Sequence, residues 1–106
     1  MKRKNKIINN IIKIANQTHP DSEIILYGSQ ARGDSNENSD WDLLILLNQS
    51  NISVEQETKI MDDYYELELS DSIVISPLIY TKNDWNTKYA TIPLHLNIDK
   101  DGIKIK

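Results

Sequence analysis

Tyr27-Gly28-Ser29-Gln30-Ala31-Arg32-Gly33, a polar loop over 34–39, and then Asp40-Trp41-Asp42-Leu43-Leu44-Ile45-Leu46-Leu47 form the stretch on which the reading of this chain turns. Upstream, Ile24-Ile25-Leu26-Tyr27 is short, β-branched in part and bounded by Gly28, the pattern of a buried strand that delivers Gly28 and Ser29 to a sheet edge. A short helical turn over Gln30-Ala31-Arg32 and an exposed loop lead into a second strand, Asp40 to about Leu47, which is apolar on both faces and therefore covered on each side. In an extended strand, residues two apart share a face, so the Asp40 and Asp42 carboxylates project together while Trp41 points away. Two like charges at the mouth of an apolar strand repel, and a divalent cation is the natural counter-charge.

Glycine lets backbone approach a phosphate closely, the Ser29 hydroxyl and nearby amides supply donors, and a helix opening at Gln30 adds its positive end. Alone, Gly-Ser after a strand reads as a plain turn, and Asp40-Trp41-Asp42 reads equally well as a solvated strand end. In combination, the strand, Gly28-Ser29, Ala31-Arg32-Gly33, the loop and Ser39-Asp40-Trp41-Asp42-Leu43 resemble the signature of the nucleotidyltransferase fold of the DNA polymerase beta superfamily. The likeness is greatest to the minimal nucleotidyltransferases, small single domains often found as the antitoxin partner of a HEPN toxin.

That resemblance implies an α/β (α+β) fold, a small mixed β-sheet with helices packed mainly on one face. It makes Gly28 and Ser29 the binders of the nucleoside triphosphate, and Asp40 and Asp42 both the catalytic carboxylates and the ligands of two Mg²⁺ ions. Arg32 stands where it can reach a phosphate bidentately, or pair structurally with Asp34 or Glu37. The implied activity is Mg²⁺-dependent transfer of AMP from ATP to a hydroxyl of a partner protein. The alternative is a weak or inactive domain that neutralises a HEPN-type toxin by direct contact, and a homo-oligomer is left open. The alternative rests on a departure: the family pattern carries a third carboxylate on the following strand, which here reads Ser72-Ile73-Val74-Ile75-Ser76-Pro77-Leu78-Ile79. Asp71, Glu66 and Glu68 lie nearby, with surface solvation as their plainer reading, and Ser76 holds the interior polar position without being able to act as a carboxylate.

Composition agrees with a small folded domain. With 106 residues, 39% apolar and 26% charged, one domain over 1–106 is expected, and a separate substrate-binding domain has little room. The net charge of −4 argues against a general nucleic-acid binder, and the basic runs Lys2-Arg3-Lys4 with Lys6, and Lys104 with Lys106, read as solvated ends. Absence of cysteine excludes thiol catalysis and thiolate zinc. Neither a signal peptide nor a membrane span is evident, so a cytoplasmic location is expected.

The remaining elements follow from periodicity. An amphipathic helix over Ile7–Ala15 ends before Pro20, and Ser53 with Gln56 opens a second helix whose inner face is Val54, Ile60, Met61, Tyr64 and Leu67. A third strand over Ser72–Thr81 contains Pro77 and so belongs at an edge or a bulge. Asn83-Asp84-Trp85 begins a short helix, and Pro93 begins a last one with Leu94 and Ile98 inward and Gly102 past its end. His19 reads as an exposed turn residue and His95 as a helix-surface residue; Tyr64-Tyr65 and Trp85-Tyr89 read as core. Tyr27 has the best claim of the aromatics to line a nucleotide pocket.

Overall fold

A computed structural model describes residues 2–36 and 38–106. The elements are α1 (Lys2–Thr18), β1 (Ser22–Tyr27), α2 (Ser29–Arg32), β2 (Trp41–Leu47), α3 (Val54–Asp71), β3 (Ile75–Thr81), α4 (Lys82–Asn86), α5 (Pro93–Asp101) and β4 (Ile103–Lys104). They build one mixed sheet in the order β3-β2-β1-β4, with β2 and β3 parallel and the other pairs antiparallel. The parallel pair needs a long connection, and α3 supplies it.

Strand alternation divides the interior in two. Ile24 and Leu26 of β1 and Trp41, Leu43, Ile45 and Leu47 of β2 face the long helices α1 and α3, where Ile7, Ile11, Ala15, Ile60, Tyr64 and Leu67 meet them. Leu44 and Leu46 face the other way, against Trp85 of α4 and Ile98 of α5, with Ile25, Tyr27, Leu78 and Tyr80 beside them. The larger helices thus share one face, as expected, while α4 and α5 close part of the other. Full burial of each such leucine or isoleucine contributes about 1.5–3 kcal/mol, so β2, buried on both sides, is the strand the core is assembled on.

Local chemistry sets the boundaries. The Ser53 hydroxyl accepts the Gln56 amide at 3.0 Å, but the Gln56 side chain pairs with Gln49 instead of returning to Ser53, so the capping box is half made. α3 ends at Ser72, the one described non-glycine residue with positive φ, at 55°. This turn occupies residues expected to be strand, and β3 begins only at Ile75, whose N–H is taken by Glu68 Oε2 at 3.1 Å. Pro77 sits in β3, an edge strand, where a missing donor is tolerated. Gly102 follows α5 for a steric reason: a Cβ there would lie 2.5 Å from the Ile98 carbonyl and 2.7 Å from Ile25.

Several burial expectations are corrected. Only Ile60, Tyr64 and Leu67 form the inner face of α3; Val54 is 80% exposed and Met61 42%. Tyr65, read as core, is exposed as well. His95, read as a surface residue, is buried and stacked on Trp85 with ring centroids 4.5 Å apart. His19, read as exposed, is buried between Ser22 Oγ, 2.9 Å from Nδ1, and the Tyr64 hydroxyl, 3.2 Å from Nε2. Because the Ser22 hydroxyl donates to the His19 carbonyl at 2.7 Å, Nδ1 donates to Ser22 and Nε2 accepts from Tyr64, a network that fits the neutral ring. The terminal lysines are partly anchored: Lys4 Nζ donates to the Gln30 carbonyl, and Lys106 Nζ to those of Pro20 and Ser22.

Burial, followed by the Lys106 charge, holds the His19 pKa below its ordinary 6.5. A histidine depressed in the folded state contributes stability that is present above its unfolded pKa and lost as pH falls toward the folded one. Thermal melts of the wild-type chain are therefore expected to lose stability from about pH 6.5 downward, and His19→Gln to show a flatter profile over that window. An unchanged profile would remove His19 as the source.

Candidate functional site

The site forms where β1 ends and β2 begins, on the sheet face that α5 covers only in part. Alternation sends Trp41 into the α1–α3 core and Asp42 to the opposite face, where it lies across from Tyr27 in the antiparallel register and beside Ser76 in the parallel one. Asp40 stands one residue before β2, exposed, and accepts a long hydrogen bond of 3.5 Å from the Ser76 hydroxyl.

Gly28 joins β1 to α2 at φ 72°, ψ −154°, a conformation open to glycine and strained for other residues. A second constraint acts on the same atom, because a Cβ at this position would run into the Asp42 carboxylate. The turn is thereby packed directly on the acid. The Gly28 carbonyl accepts the amides of Ala31 and Arg32, and Gly33, at φ 85°, closes the helical turn by donating to the Ser29 carbonyl.

Tyr27, Gly28, Ser29, Arg32, Asp40 and Asp42 line one cavity of about 430 Å³, a size suited to a small-molecule ligand. All five site residues read from the sequence are brought together there, with Tyr27 beside them. The opposite wall is α5, through Leu94, Asn97, Ile98 and Asp101. Asn97 and Asp101 escaped sequence reasoning; the available signal was their spacing of four, one helical position before and three after the inward Ile98. A groove of similar volume, about 440 Å³, runs between α1 and α3, but it has no glycine turn and no aspartate pair.

Electrostatics mark Asp42 as unusual. Burial raises the Asp42 pKa, the neighbouring Asp40 raises it further, and Arg32 partly offsets both. Tyr27 is pushed up to about 12 by burial, then by Asp42 and Tyr80. Arg32 pairs with Asp34 at 3.3 Å while remaining on the cavity rim, both side chains being about half exposed; the other pairing considered, with Glu37, lies outside the described residues.

None of Glu66, Glu68 and Asp71 joins the pair. Glu68 caps the start of β3, Asp71 accepts from Asn10 Nδ2 at 3.0 Å and from Ser70, and Glu66 lines the separate groove. Among the described residues no group of three His, Cys, Asp or Glu side chains converges as a metal site. Two neighbouring carboxylates, Asp42 with raised proton affinity and Asp40 with a hydroxyl donor, nevertheless form an oxygen donor set of the kind Mg²⁺ uses when waters and phosphates complete its shell. Among the described residues no helix is long and apolar enough to cross a membrane.

A family model described as nucleotidyltransferase domain matches residues 8–96. Over 59 residues, 56% of the chain, the sequence is 42% identical to a Methanocaldococcus jannaschii protein whose name assigns it, by inference, protein adenylyltransferase activity; the match spans 59% of that relative. Two solved structures share the fold. One is a toxin–antitoxin with AMP-PNP, with a TM-score of 0.64 and 18% identity. The other is a mutant toxin–antitoxin MntA–HpeT, with a TM-score of 0.66 and 17% identity. Each alignment covers 93% of this chain and 72% of the other. At such identities the likeness is one of fold, and it bears out the mixed α/β architecture read from the sequence.

Two outcomes are expected from the geometry. Gly28→Ala should destabilise the chain by about 1–2 kcal/mol in denaturant unfolding, and adding Asp42→Ala should recover part of that loss by removing the colliding carboxylate. In NMR titrations, Asp40→Asn should move the Asp42 pKa downward; no movement would show that the two charges do not sense each other.

Proposed function

The chain belongs to the nucleotidyltransferase domain family, and from that premise we propose that it transfers AMP from ATP to a hydroxyl of a partner protein. One observation carries the reading: the Gly28-Ser29 turn and the Asp40–Asp42 pair are packed against each other on a single cavity. A phosphate-binding turn and a cation-binding pair are then held at fixed separation by the β1–β2 register, which is what positioning catalysis of phosphoryl chemistry requires.

In this reading Ser29 and the amides at the start of α2 hold the triphosphate, and Arg32 lends a positive rim. Asp40 and Asp42 hold the metal, with Ser76 orienting the Asp40 carboxylate through their hydrogen bond. When bound, Mg²⁺ would activate the acceptor hydroxyl and stabilise the departing pyrophosphate. Asp101 repels phosphate, so the nucleoside end lies toward α5, where sugar hydroxyls can donate to Asp101 and the Asn97 amide can meet neutral polar groups. Residues 1–106 act as one unit, and a HEPN-type toxin is the proposed partner. The name of the archaeal relative and the AMP-PNP in one structural neighbour support the nucleotide and the protein acceptor.

A second reading rests on β3, the strand on which the family pattern carries a third acid and which here places Ser76, not a carboxylate, beside Asp42. On that reading the fold is retained for contact with a partner and turnover is weak.

The purified chain, with labelled ATP, Mg²⁺ and the protein encoded beside it, is expected to label that protein, and the Asp40→Asn, Asp42→Asn double variant to lose at least about a hundredfold of the rate, some 2.7 kcal/mol. Equal labelling by both would end the catalytic reading; neutralisation of the partner by the double variant would favour the second. Asp101→Ala should raise the KM for ATP about tenfold, more than it lowers kcat.

A further inference from the structure

The outer face of α3 carries an apolar stripe that the fold does not use. Val54, Met61, Tyr65 and Leu69 recur at intervals of seven, four and four residues, so they lie along one line on the helix. They are 80, 42, 58 and 65% exposed, while the opposite face, Ile60, Tyr64 and Leu67, is buried against the sheet and α1. A run of this kind over about 22 Å of helix (1.5 Å per residue) is not the scattered exposure that any surface shows.

Its borders have one sign. Helical spacing places Glu57 and Glu68 along one side of the stripe and Glu55, Asp62 and Glu66 along the other. α3 contains seven acids and one lysine, Lys59, which pairs with Asp63 at 3.7 Å. This is the surface of a helix whose partner has an apolar ridge and complementary flanks, as in paired helices whose flanking charges select the partner.

We propose that the outer face of α3 docks an amphipathic helix of a partner protein, one whose apolar stripe is bordered by lysine and arginine. The charge pattern selects among occupants. A second copy of this chain would set the same five carboxylates against themselves, and like charges juxtaposed in an interface are costly. Nucleic acid and anionic membrane surfaces are repelled for the same reason. The straight run over four turns matches a helix laid along it. The surface shares no residue with the cavity at Gly28 and Asp42, so the inference stands or fails independently of nucleotide transfer.

The test uses the full chain and two fluorescein-labelled helical peptides with the same leucine stripe, one flanked by lysines and the other by glutamates. In fluorescence anisotropy the lysine-flanked peptide is expected to bind at least about tenfold more tightly than the glutamate-flanked one, and to weaken as salt is raised. Met61→Ser with Leu69→Ser, both at exposed positions and checked by circular dichroism, should weaken it by a similar factor. Glu55→Lys, Asp62→Lys, Glu66→Lys should reverse the peptide preference, which tests the surface even if the first variant is poorly folded. Equal affinity for the two peptides, or binding indifferent to both variants, would overturn the proposal. So would a dimer in sedimentation equilibrium that the serine variant dissolves, because the occupant would then be a second copy.

Discussion

The strand β2 is a wall shared by two interiors, and the molecule is arranged around that fact. Trp41, Leu43, Ile45 and Leu47 belong to the core under α1 and α3, whereas Leu44 and Leu46 belong to the one under α4 and α5. With side chains alternating strictly, a slip of one residue would exchange the two sets and turn Asp42 into the larger core. The apolar residues therefore fix the position of the acid. The antiparallel partner β1 inherits the same registration, which brings Gly28 to the Asp42 carboxylate.

What holds the site is consequently remote from it. The cost of half-burying Asp42 and setting Asp40 beside it, visible in the raised proton affinity of Asp42, is offset by burial along β2 and its neighbours, where Leu43, Leu44 and Ile45 are wholly inaccessible to solvent. Local devices then refine the result. Gly28 supplies the turn, and the Ser76 hydroxyl steadies Asp40.

Much of this was legible in the sequence because it is encoded locally. The apolar run after Asp42 announced a central strand, Pro77 an edge or a bulge, Pro93 a helix start, and the Gly28-Ser29 to Asp40-Trp41-Asp42 sequence both the fold and five of the residues that line the cavity. The failures have a common cause in packing between distant segments. His19 stands next to Pro20 in a turn and is drawn inward by Tyr64, 45 positions away. His95 is buried because Trp85 offers a ring to stack on. Val54, Met61 and Tyr65 were assigned inward on apolar character alone, although α3 has more apolar positions than one face can bury. The α5 wall was hidden for the same reason, since nothing near Asn97 or Asp101 reports that Gly28 lies across from them.

The cavity is built from two segments that lie far apart in the chain. One wall, Tyr27, Gly28, Ser29 and Arg32 with Asp40 and Asp42, holds the turn and the aspartates and falls within the region shared with the family; the other includes Asp101, beyond the matched residues 8–96. Changes at Asn97 or Asp101 are expected to leave the β1–β2 register untouched, because neither belongs to a strand or to the buried core. A domain built this way can therefore vary the α5 wall while keeping the glycine turn and the aspartate pair, and divergence is expected to accumulate unevenly across the same small hollow.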